Sequence, residues 1–128
     1  MNTVFSKIAA ILAVIIGGMA ISAGGQVLLG KVQDYYVIDW VPVYNFSMGV
    51  ISVFITAILL WKNHSLAIPA AVTTLLTHSL VMVILQMAYR DVVALDSIVA
   101  MTLRISAWVI ILTLLLVQKR KSKLLPAG

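Results

Sequence analysis

Residues 8–30 read IAAILAVIIGGMAISAGGQVLLG, an apolar run with no charged side chain between Lys7 and Lys31. A helix rises about 1.5 Å per residue, so about 20 apolar residues cross the roughly 30 Å hydrocarbon core of a bilayer. The run meets that length and predicts a membrane-spanning helix. Three more stretches meet it: residues 41–61, uncharged between Asp39 and Lys62; residues 66–89, bounded by Lys62 and Arg90; and residues 97–117, with Asp96 and Ser97 as candidate N-caps and one internal charge, Arg104. The expected fold is all-α, an integral membrane four-helix bundle in one domain (residues 1–128), with a basic tail over 118–128. The opening also carries the parts of a cleavable signal peptide: Lys7, the run from Ile8 to Ile16, and the small residues from Ala20 to Gly25. Its continuation through Val27 to Gly30 favours a retained helix.

Composition agrees with a chain living in lipid. Of 128 residues, 62% are hydrophobic and 10% are charged, against about 25% charged in a soluble domain, and the mean hydropathy is +1.12. The links between the helices leave no stretch for a catalytic domain outside the bilayer. The chain has no cysteine, which excludes disulfides, thiolate metal sites, iron–sulfur clusters and c-type haem.

The net charge of +5 is unevenly placed. Lys7, Lys62, Lys119, Arg120, Lys121 and Lys123 fall on one side of the spans. Lys31 and Arg90 fall on the other, with all four acids, Asp34, Asp39, Asp91 and Asp96. Basic short loops stay in the cytoplasm, so both termini are expected inside a bacterial plasma membrane. Tyr35, Tyr36, Trp40, Tyr44 and Tyr89 then mark the outer interface and Trp61 the inner one, where amphipathic rings settle at headgroup depth. The Lys119–Lys123 run reads first as a topology signal and second as an attractor of anionic lipid. Nucleic-acid binding is not expected, because a short basic tail supplies no folded reader.

At 100° per residue, Ala9, Ala13, Gly17, Ala20 and Gly24 form one stripe of small residues on the first helix. Lipid gives helices no hydrophobic reason to associate, so such a stripe is a packing surface. Its partner is expected in the same bundle, with a second subunit as the alternative. Asn45, Gly49, Ser52 and Thr56 share a face of the second helix; Ala67, Ala71, Thr74, His78, Met82 and Leu85 share one of the third; Ser97, Ala100, Arg104, Trp108 and Ile111 share one of the fourth. Polar groups are costly against acyl chains, so these faces should point inward. Pro42 and Pro69 fall in first helical turns, where a missing N–H is tolerated.

A guanidinium about 10 Å inside its helix stays charged and must find acceptors or water. Gln26, Asn45, Gln86 and Arg104, one from each helix, lie at comparable depths toward the outer side. Together they suggest an outward-facing polar pocket for an anionic headgroup, a carboxylate or a quinone carbonyl, with Trp108 one turn below Arg104 and a loop aspartate as counter-ion. The alternative is structural: Arg104 snorkels or pairs with an aspartate, and the amides join helices. His78 lies near mid-membrane, about 18 Å from either end of its helix. A hydrogen bond to Thr74, Ser52 or Thr56 is its expected role. Haem ligation through two copies of His78, or with Met48 or Met82, is the alternative, since the other histidine, His64, lies in a link.

The string Tyr44-Asn45-Phe46 followed by Gly49, and Met101-Thr102-Leu103-Arg104 followed by Trp108, resemble a loose group of small bacterial four-helix membrane proteins. An Asn-Phe-x-x-Gly helix start and a Met-Thr-x-Arg-x-x-x-Trp helix recur in that group. The resemblance implies that Asn45 and Arg104 belong together. Small multidrug-resistance transporters share the helix count, but their coupling rests on a glutamate in the first helix, and this chain has no glutamate. No nucleophile elbow, phosphate loop or metal-spaced cluster appears. The function expected is therefore non-enzymatic and without a cofactor: an accessory, assembly or scaffold subunit whose partners are the lipid bilayer and other membrane protein subunits or itself. A small transporter or channel, and a haem- or quinone-binding redox component, stay open as alternatives.

Overall fold

The computed structural model describes residues 3–124, without the side chains of residues 122–124. Four helices carry the chain: α1 (Val4–Leu28), α2 (Val41–Trp61), α3 (Ala67–Met87) and α4 (Leu95–Leu124). Each is long and apolar enough to span a membrane, and no strand occurs among the described residues. The helices alternate in direction. One end of the bundle gathers Lys7, Lys62 and Lys119, and the other holds the four aspartates.

Two links end their helices by the same device. Gly30, at φ +103, follows α1, and its N–H and that of Lys31 donate to Val27 and Gln26. Asn63, at φ +51, follows α2, and its N–H and that of His64 donate to Leu60 and Leu59. A left-handed residue with this pair of bonds satisfies the last carbonyls of a helix, and glycine and asparagine are the residues that adopt it most readily. The last helix differs from the sequence expectation. It starts at Leu95, so Asp96 lies in its first turn and the carbonyl of Ala94 receives the first N–H groups, from Ser97 and Ile98. It also runs on to Leu124, so residues 118–124 are helix rather than tail. Lys123 lies outside the residues whose side chains are described.

The small-residue stripe of α1 is buried inside the bundle, and α2 closes over its Gly17 and Gly24. A Cβ on Gly49 would stand 2.6 Å from the carbonyl oxygen of Gly17, and one on Gly17 would stand 2.8 Å from Val53 Cγ2. A Cβ on Gly24 would collide with the carbonyl oxygen of Pro42 and stand 2.7 Å from the Phe46 nitrogen. These backbones touch, as expected where packing rather than water drives association. Next to the contact, Ser52–Thr56 forms a π-helical turn, with the N–H of Ala57 donating to the Ser52 carbonyl. The turn holds one extra residue, and both Thr56 and Ala57 are buried.

α4 packs on the other flank of α1 and against α3. Trp108, fully buried, fills the space left by Ala9, Ala13, Ala57 and Ala71, with Ile111 and Leu115 below it. A second apolar cluster closes the aspartate end, where Ile38 of the link between α1 and α2 packs with Val41, Val81, Leu85 and Met101.

Candidate functional site

Two consecutive residues of α2 reach in different directions. The guanidinium of Arg104 on α4 donates from Nη1 to Asn45 Oδ1 at 2.6 Å. Tyr44 Oη and His78 Nδ1 on α3 share a hydrogen bond of 2.6 Å, and their rings meet edge to face at 5.7 Å between centroids. The phenol donates when Nδ1 carries no proton. One turn of α2 thus ties to both α3 and α4 across the bundle, in a layer toward the aspartate end.

Local geometry explains why Arg104 meets Asn45. Side chains leave a helix tilted toward its N-terminus, and the N-terminus of α4 lies at the aspartate end. Arg104 stands nine residues, about 14 Å, below Leu95, so its length is used climbing toward the shallower Asn45. The residue is 7% exposed. The bond is charge-assisted, which makes it one of the stronger neutral-to-ion contacts available in lipid.

The layer opens into a small cavity lined by Asn45 and Arg104 with Tyr35, Pro42, Asp96 and Ser97. Its volume is about 60 Å³, above the roughly 10–15 Å³ that one ordered water needs. Sites for organic ligands measure about 300–1,000 Å³, several times this space. Of the four aspartates, Asp96 lines the cavity; all four are exposed.

The structure does not bring the other predicted residues here. Gln26 is exposed and occupied at the surface, donating to Ser22 Oγ at 3.1 Å and accepting from Lys31 Nζ at 3.0 Å. It lies about 200° around α1 from Gly24, on the side away from α2. Gln86 is likewise exposed, one residue past the buried Leu85. Trp108 belongs to the apolar core beneath the layer, and its indole N–H has no hydrogen-bond partner. His78 takes Tyr44 as partner rather than Thr74, Ser52 or Thr56; Thr74 Oγ1 donates to the carbonyl of Ala70 in its own helix. Tyr44 accordingly turns toward α3. Trp40 and Tyr89 stay together at the aspartate end, the indole N–H donating to Tyr89 Oη at 3.1 Å.

A second polar cluster, at the lysine end, was missed from the sequence. The N–H of Ser6 donates to Gln118 Oε1 at 2.8 Å, Gln118 Nε2 donates to Asn63 Oδ1 at 3.1 Å, and Ser6 Oγ donates to the carbonyl of Leu60. Ser6 and Gln118 are both buried. The signal was the continuation of one stripe, Arg104, Trp108, Ile111, Leu115 and Gln118, past the assumed helix end. A cavity of about 290 Å³ adjoins this cluster, walled by Asn63, His64, Leu115 and Lys119.

No group of three or more His, Asp or Glu residues that would hold a metal occurs among the described residues. Comparison with protein-family models, with curated proteins and with solved structures gives no match.

Proposed function

We propose that the chain is a non-enzymatic accessory, assembly or scaffold subunit of a bacterial plasma-membrane complex or homo-oligomer, with both termini in the cytoplasm. One observation carries this reading. Two pairs of polar side chains within the bundle bond to each other, Arg104 to Asn45 and His78 to Tyr44, beside a cavity of about 60 Å³. The remaining intramembrane resource is surface. Between α2 and α3 runs a groove of about 380 Å³ walled on the α3 side by Pro69, Ala70, Thr73 and Thr77. Small and hydroxyl residues of this kind let a transmembrane helix approach closely.

Native mass spectrometry of the protein extracted gently from its own membranes tests this. A complex with heterologous subunits or a defined homo-oligomer is expected; a bare monomer with no co-purifying partner overturns the reading. The absorption spectrum of the same sample should lack a Soret band. Orientation rests on the lysine asymmetry and is tested separately. Because the chain has no cysteine, Ser65→Cys and Gln33→Cys report cleanly. In intact cells an impermeant maleimide should label Gln33→Cys and spare Ser65→Cys; the reverse pattern inverts the topology.

A second reading, a small transporter or channel with Arg104 and Asn45 as its selectivity site, draws on the cavity that joins Arg104 to Asp96. It requires that Arg104→Ala abolish a flux while the fold persists.

A further inference from the structure

At the lysine end, α1 and α2 part on the outer face of the bundle and leave a groove of about 610 Å³. Its floor is Ala10 and Ala57, buried at 3% and 4% exposure, and Ile11, Ile15, Val53 and Ile58 stand as walls. At its mouth are Trp61 and Lys62, and Lys7 Nζ sits 4.3 Å from the centre of the Trp61 ring. The groove is apolar along its length and cationic at one end.

Its extent is informative. From Val53 to Lys62 the helix advances about 14 Å, half of the roughly 30 Å hydrocarbon core. Beyond Val53 the groove is shut by the contact of Gly17 with Ser52, Val53 and Gly49. A partner helix would need a track across the whole bilayer, whereas an acyl chain needs one leaflet. Two ammonium groups at the open end add what a zwitterionic headgroup would not reward, a pair of positive charges at phosphate depth.

We propose that this groove is a binding site for one anionic phospholipid of the leaflet at the lysine end, with an acyl chain between α1 and α2 and its phosphate between Lys7 and Lys62. The site is separate from the Arg104 layer, and it holds whichever way the protein faces and whether or not it joins a complex.

The test is native mass spectrometry of the full chain in detergent, titrated with dioleoyl phosphatidylglycerol or with phosphatidylcholine of the same chains. One phosphatidylglycerol should bind in preference. Lys7→Gln/Lys62→Gln should weaken it roughly 10- to 30-fold, from about one basic-residue contribution each near an anionic headgroup. Lys119→Gln/Arg120→Gln, which alters charges of α4 that do not line the groove, should leave it nearly unchanged. Equal binding of the two lipids, or an equal loss in both variants, overturns the proposal. A phosphatidylglycerol with a diazirine midway along one acyl chain supplies a readout on the unsubstituted protein. Its crosslinks should fall in residues 10–15 and 53–58. Crosslinks spread evenly over the four helices would overturn it.

Discussion

α2 is held from two sides by opposite means. Toward α1 the helices meet backbone against backbone, with Val53 and Ile21 packed beside them, where Gly17 meets Gly49 and Gly24 meets the start of α2. Toward α3 the helices stand further apart and are joined by long side chains, Tyr44 to His78 and Trp40 to Tyr89. The first seam depends on many weak contacts that one methyl group would destroy. The second depends on a few directional bonds, each worth little because the separated helices in a membrane find other partners. The difference predicts that steric changes at the α1 seam cost more than deletion of whole polar groups at the α3 seam.

The largest effect is expected for Gly49→Val, which forces side-chain atoms into Gly17 and Ile21. It should cost at least the roughly 3 kcal/mol at the top of the overpacking range, read as loss of the folded species in a denaturant titration in micelles. Next comes Arg104→Ala. Removing the guanidinium strands the Asn45 amide, at about 1–3 kcal/mol, and Arg104→Lys should recover only part, since an ammonium lacks the planar fork. Tyr44→Phe removes one hydroxyl from the α3 seam and should cost about 0.6 kcal/mol, with about 1.7 as the ceiling for such bonds. A Tyr44→Phe cost equal to that of Gly49→Val would break the contrast. Gly18→Ala sharpens it at the small end: Gly18 faces open space, so the added methyl should be neutral or stabilise by about 0.5–1 kcal/mol.

These seams were unequally legible in the sequence. The α1 stripe declared itself because small residues at helical spacing have one physical use in lipid, and every member of it is buried. The inward faces of the other helices followed from the same periodicity. The pairing across the bundle did not follow. Asn45 with Arg104 was suggested by depth and by resemblance, but depth alone also admitted Gln26 and Gln86, whose angular positions turn them outward. Tyr44 read as an interfacial ring because a tyrosine three residues inside a helix suits either role, and only the position of His78 across the gap decides between them. At the lysine end, the charges of residues 119–121 obscured a helix that continues beneath them, and with it the buried Gln118. The π-helical turn has no local signature in Ser52–Thr56; it accompanies the close approach of α1.

Arg104 is spent on Asn45, joining α2 to α4 across the bundle, rather than kept for a ligand. A double-mutant cycle on the folding free energy of the chain in bicelles, with Asn45→Ala, Arg104→Ala and the double variant, measures that directly. A coupling of at least about 0.6 kcal/mol is expected, the double variant losing less than the sum of the single ones. Strict additivity, with each residue contributing independently of the other, would contradict it.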